Sequence, residues 1–169
     1  FGNDLLFAPS ADYSVYALDL NGDLAFKMET EQVNWSTPVL DETHVYVTSM
    51  DHFLYAFDIN TGELEWKTDL LGAVSGSPAL LDGVLYVGTL NREVLAVSTG
   101  DGEIIWTASV NDYVWSTPEV WDGMLFIGDA AGTVYALDSE NGDQVWSAST
   151  GSPITARLTT LGDLLIAVT

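Results

Sequence analysis

A chain of 169 residues with 47% hydrophobic and 11% aromatic content is the size of one domain and has ample material for a core, which excludes disorder. Against 25 acidic residues stand four basic ones, Lys27, Lys67, Arg92 and Arg157; this formal charge of -21 excludes the cation clusters that bind nucleic acid or an anionic membrane surface. With no cysteine, the chain has no disulfide, no thiolate metal site and no cysteine nucleophile.

The acidity fits a solubilising surface in salty or extracytoplasmic surroundings, scattered divalent-cation contacts, or a match to a basic partner. No apolar run reaches the ~18 residues of a membrane-spanning helix. The chain opens on Phe1 without a basic leader and closes at Thr169, both inside strand-like text, so it reads as a fragment of something longer.

Taken in order, the sequence is one domain of repeats: a partial unit over 1–34, full units over 35–74, 75–114 and 115–154, and a partial unit over 155–169. The partial unit opens in a second strand, LLFA. The first full unit predicts strands from Trp35 to Leu40, then over 44–49, 53–58 and 63–68. Its second strand returns in every unit as a nearly unbroken apolar run (HVYV, VLYV, MLFI, LLIA), which suits a strand covered on both faces. Asp82-Gly83, Asp122-Gly123, Asn60-Thr61-Gly62 and Asn141-Gly142 supply tight turns. Nothing reads as helix. Repeated antiparallel four-stranded units that cannot cover their own faces predict an all-β fold, a β-propeller of about four ~40-residue blades. About 17 strands result, and the last unit again ends in a second strand.

Each unit carries the same mark. Ala17, Asp19, Gly22 and Phe26 begin a series that continues as Ala56, Asp58, Gly62 and Trp66, then Ala96, Gly102 and Trp106 with Ser98 in place of Asp, then Ala136, Asp138, Gly142 and Trp146. The segment AFDINTGELEW resembles the AxDxxTGxxxW tryptophan-docking repeat of the PQQ-type (quinoprotein) β-propellers. That resemblance implies that Ala and Trp lock neighbouring blades and that Asp and Gly shape the turn between third and fourth strands. It also implies a ring of seven or eight blades, of which this chain would be an open arc.

Sites with chemistry are few. A PQQ-dependent dehydrogenase resembling this family would need Ca²⁺ held by Glu, Asn and Asp, a catalytic Asp, an Arg near the quinone and usually a vicinal Cys pair; no Cys pair exists here. The oxygen-rich loops at Asp19-Asn21-Asp23 and Asp138-Glu140-Asp143 read as docking-motif turns before Ca²⁺ sites. His44 and His52 are the only histidines and lack N or S partners for zinc.

Differences between equivalent positions are more informative. Trp35 and Trp115 share a register with Ser75 and Thr155, and Arg157 replaces Thr37, Ser77 and Thr117. Trp35, Asp51, His52, Arg92, Tyr113, Trp115 and Asp129 are expected on the face carrying the connections between blades, an aromatic and charged mix typical of interfaces. The two tryptophans also suit a core role, plugging the channel.

The expectation is a non-catalytic interaction or assembly scaffold without cofactor or metal, resembling the BamB-like branch of the family. The resemblance implies an extracytoplasmic location, periplasmic or at the cell surface, and a protein partner or the rest of a larger propeller; uncovered flanks also admit a homodimer. Two alternatives stand beside it: half of a PQQ- and Ca²⁺-dependent alcohol or sugar dehydrogenase, and a propeller binding a glycan or small ligand through Trp35 and Trp115.

Overall fold

The structure, a computed structural model, describes residues 4–161 and 164–167. Among them are seventeen strands and no helix, arranged as successive antiparallel sheets. Blade I has three strands, β1 (Leu6–Pro9), β2 (Ser14–Leu18) and β3 (Leu24–Glu29). Blade II is β4 (Val39–Leu40), β5 (His44–Thr48), β6 (Phe53–Asp58) and β7 (Leu64–Asp69). Blade III is β8 (Ala79–Leu81), β9 (Val84–Gly88), β10 (Glu93–Ser98) and β11 (Ile104–Ser109). Blade IV is β12 (Glu119–Trp121), β13 (Met124–Gly128), β14 (Thr133–Asp138) and β15 (Gln144–Ser149). A two-stranded sheet, β16 (Thr159–Leu161) with β17 (Leu164–Ile166), begins blade V.

The apolar runs are explained by the stacking. Successive side chains of a strand point to opposite faces, so a strand packed on both sides must be apolar throughout. In blade II, Val45, Val47, Tyr55 and Phe57 join Val15 and Met28 of blade I in one core cluster. The intervening Tyr46, Leu54 and Ala56 join Leu85, Val87, Leu95 and Val97 of blade III in the next. The same arrangement links blades III and IV through Tyr86, Ala96, Trp106, Leu125 and Leu137. The first strands β4, β8, β12 and β16 neighbour one another in turn along the inner side of the arc.

One strand expectation needs correction. The first strand of blade II is only Val39–Leu40, and Trp35 lies in the linker before it. That linker bonds instead to the β5–β6 turn, Met50 N donating to Val33 O, so its backbone is used before it reaches the sheet.

Candidate functional site

Each blade has two ends, built by different rules. At the docking end, the register Tyr46↔Ala56↔Trp66 runs across three strands, and Tyr86↔Ala96↔Trp106 repeats it. The small central alanine lets the outer rings approach over it, with Tyr46 and Trp66 centroids 5.9 Å apart and Tyr86 and Trp106 6.0 Å apart. The indole then reaches the next blade: Trp66 Nε1 donates to Thr99 O at 3.3 Å and Trp106 Nε1 to Ser139 O at 3.0 Å. A buried indole needs such a partner for its N–H.

The motif glycine completes the contact. Gly142 holds φ +78, and a Cβ there would stand 2.6 Å from the Trp106 ring, so both the backbone and the neighbouring blade demand glycine. The motif aspartates close the turn: Asp58 Oδ1 accepts from Asn60 N and Thr61 N at 2.8 Å, and Asp19 Oδ1 accepts from Asn21 N and Asp23 N. Those backbone N–H groups hold both carboxyls below the ordinary aspartate value. Asp138 Oδ1 accepts likewise from Glu140 N and Asn141 N, while Ser98 Oγ takes Gly100 N in blade III. In the loops considered for Ca²⁺, Asp19 and Asp138 thus each give an oxygen to their own backbone.

The opposite, loop end carries the linkers and the turns between second and third strands. Here the linkers alternate strictly: Asn34 and Ser36 are buried while Trp35 is 67% exposed, and Val114 and Ser116 are buried while Trp115 is 42% and Tyr113 44% exposed. The buried serines are anchors. Ser36 Oγ donates to Thr48 O, and Ser116 Oγ donates to Gly128 O and accepts from Gly128 N. Pinning Ser116 inward forces its neighbour Trp115 outward, so neither tryptophan is part of a buried core cluster.

His52 and Arg92 share one turn register with Tyr13 and Gly132, all at positive φ. Their side chains project outward, and the Arg92 guanidinium lies 5.7 Å from the Tyr113 ring centroid, a cation–π distance. Two residues missed by the sequence reading belong to this end as well. Tyr13, half-exposed, is legible in hindsight as the blade I copy of His52 and Arg92; Leu71, exposed at φ 58, follows Leu70, whose N–H donates to His52 O.

Asp51 and Asp129 require correction: they lie beneath the face, 5% and 0% exposed, rather than on it. Asp51 Oδ2 accepts from the Tyr55 hydroxyl at 2.8 Å and from Glu31 N at 2.7 Å, and its Oδ1 accepts from Phe53 N. Asp129 accepts from the Tyr135 hydroxyl and Thr133 N, both at 2.8 Å, and Tyr135 in turn accepts from Asn111 N. Each aspartate ties a linker to a blade, and a carboxylate so partnered can be buried.

Between the first strands runs an axial groove of about 490 Å³, lined by Pro38, Val39, Pro78, Leu80, Glu119 and Arg157 among others. Glu119 supplies its one carboxylate, and that is engaged: Arg157 donates to Oε2 through Nε at 3.1 Å and Nη2 at 2.7 Å, and Thr160 donates to Oε1. Among the described residues no group of three His, Asp or Glu converges as a metal site. Also among them, no helix is long and apolar enough to cross a membrane.

Comparison with known proteins agrees with this architecture. The solved structure of BamB from Moraxella catarrhalis superposes with a TM-score of 0.86 at 20% identity, over 98% of this chain and 55% of that one. The computationally designed Ika8 protein gives the same TM-score at 16% identity, over 99% of this chain and 53% of that one. The chain therefore spans about half the length of either. No curated protein matches in sequence. The sequence does match the family described as outer membrane protein assembly factor BamB, over residues 11–89 and again over 73–168. Matched across most of its length and built of that family's repeat, the chain belongs to the BamB-like, PQQ-type propeller family.

Proposed function

We propose that the chain is part of a non-catalytic, extracytoplasmic scaffold that binds a protein partner on its loop face. The observation that carries this reading is the outward display of Trp35, Tyr113 and Trp115, joined by Tyr13 and Leu71, on linkers whose alternate residues are pinned inward. Large apolar side chains gathered on one end of a soluble domain mark an interaction surface. Exposed carboxylates at the same end, Asp12 and Asp69, select a partner with an apolar centre and a basic rim. Membership in a family described by outer-membrane protein assembly supports the extracytoplasmic location and the assembly role.

No resident cofactor is part of this reading. Ca²⁺ takes about six to eight oxygen ligands, whereas the axial groove offers one carboxylate already bonded to Arg157 and Thr160. The residues this chain contributes to that groove therefore do not by themselves supply the oxygen set of a Ca²⁺-bound quinone.

The test is capture from the envelope fraction of the source cell, with the chain immobilised through its docking end. A partner retained by the wild type and by Trp146→Ala, but lost with Trp35→Ala/Tyr113→Ala/Trp115→Ala, is the expected result. Equal capture by the triple variant would place the interface elsewhere.

A further inference from the structure

The last strand of each blade forms its outer edge, and the blades treat that edge in two ways. In blade I it carries Lys27 and Glu29, bridged at 2.8 Å, and in blade II it carries Glu65, Lys67 and Asp69. All three of the latter are engaged. Glu65 lies 2.8 Å from His44 Nε2, Lys67 donates to Glu31 and sits over the Phe53 ring, and Asp69 Oδ1 accepts from Leu71 N. Charged side chains on an open edge, lysine above all, oppose the addition of a further strand.

Blade III has no such guard. At the same 40-residue offset Glu65, Lys67 and Asp69 become Ile105, Thr107 and Ser109, and β11 reads Ile-Ile-Trp-Thr-Ala-Ser without a charge or a proline. Ile104, Ile105, Thr107 and Ser109 are exposed, and the isoleucines and threonine favour extended backbone. Val110 N donates to Arg92 O, so pairing with β10 falls on alternate residues, Ala108 and Trp106. Thr107 and Ser109 accordingly turn their N–H and C=O groups outward. Among the described strands only β10 pairs with β11, although blade II and blade IV cover the two faces of blade III.

Beside the start of β11 a groove of about 440 Å³ opens between blades III and IV, lined by Leu81, Asp82, Tyr86, Ile105, Trp106 and Glu140 among others. It joins apolar and aromatic side chains to two carboxylates, and Asp101 and Glu103 stand exposed just before the strand.

We propose that β11 accepts an extended segment of a partner protein as an added antiparallel strand of blade III. An antiparallel segment brings its C-terminal end to the start of β11, where an apolar residue enters the groove and basic residues follow it beside Asp101 and Glu103. Main-chain hydrogen bonds supply the pairing, and the groove supplies the selection. The acidic surroundings choose a basic segment over a second copy of this chain, since two copies each carrying a formal charge of -21 repel. This rim is a different surface from the loop face, and the two readings stand or fall separately.

The experiment is fluorescence anisotropy of a labelled peptide of alternating threonine and valine that ends Leu-Lys-Lys, titrated with the wild-type chain and its variants. Saturable binding is expected, weakened at least about tenfold by Thr107→Lys, which restores the residue of blade II, and by glutamates in place of the peptide's lysines. Thr107→Pro removes an outward N–H that the blade itself does not use, and abolishes binding while far-UV circular dichroism stays unchanged. Where the proline variant does not fold, Thr107→Lys leaves the backbone intact and carries the test.

A further arm needs no variant of the chain. The same peptide N-methylated at every residue keeps its side chains, loses its main-chain donors and does not bind. Trp35→Ala/Tyr113→Ala/Trp115→Ala binds the unmethylated peptide as the wild type does. Absence of saturable binding, retention of the methylated peptide, or loss of binding in the triple variant each overturns the proposal. So does a dimer that Thr107→Lys disperses, which would give the edge to a second copy.

Discussion

The docking end and the loop end of this propeller arc obey opposite rules. At the docking end the blades use nearly the same small set of residues, because a ring of one blade lies over a glycine of the next at each junction, with Phe26 in place of tryptophan in blade I and Ser98 in place of the turn aspartate in blade III. At the loop end the equivalent positions diverge into Tyr13, His52, Arg92 and Gly132, or into Trp35, Ser75, Trp115 and Thr155. Uniformity follows from packing shared by all blades, and divergence leaves room for recognition. The two tryptophan sets make the contrast concrete, since Trp106 is buried with its N–H satisfied while Trp115 faces solvent above a pinned serine.

That contrast can be broken or sharpened by substitution. The largest effect is expected for Trp106→Ala, at about 3–5 kcal/mol of stability lost on chemical denaturation. Trp146→Ala, the same motif residue at 37% rather than 8% exposure, should cost far less. Next, Gly142→Ala drives a methyl into the Trp106 ring as well as straining φ, whereas Gly22→Ala meets only the strain, about 1–2 kcal/mol. A clear excess for Gly142 measured on the same denaturation curves is the expected result.

A third effect is alkaline. Burial, reinforced by hydrogen bonds to Asp41 and Asp51, pushes the Tyr46 and Tyr55 hydroxyls well above the ordinary tyrosine value. In the unfolded chain they ionise near pH ~10. Their contribution is therefore complete below that pH and is lost as pH rises toward the folded value. Melting temperature should fall above pH ~10, and Tyr46→Phe/Tyr55→Phe should flatten that fall. The smallest effect belongs to Arg157→Ala: its pair with Glu119 is largely exposed on the arginine side, so about 0.5 kcal/mol or less is expected.

Much of the fold was legible because repetition exposes it. Ala, Gly and Trp at a 40-residue period identify the blades before any strand is drawn, and the doubly apolar second strands identify the stacking. The loop end was less legible. Asp51 and Asp129 look like surface turn residues, and only the tyrosine hydroxyls folding back from Tyr55 and Tyr135 draw them under the linkers. Tyr13 was concealed by a unit one residue short, and Leu71 by a left-handed backbone that sequence pattern does not announce. The orientation of Trp35 and Trp115 was open between core and surface; the period-two alternation with Ser36 and Ser116 decides it, a signal readable only once the linkers are known to be extended.

The loop-face aromatics are, on this reading, surplus to folding and therefore free for a partner. Thermal unfolding of Trp106→Ala and Trp115→Ala, measured side by side with the wild type, tests that claim most directly. The expected result is a fall of many degrees for Trp106→Ala and a midpoint within about 2 °C of wild type for Trp115→Ala, the scale of a surface substitution. Equal destabilisation by both would make Trp115 a structural residue and remove the basis for an interaction face.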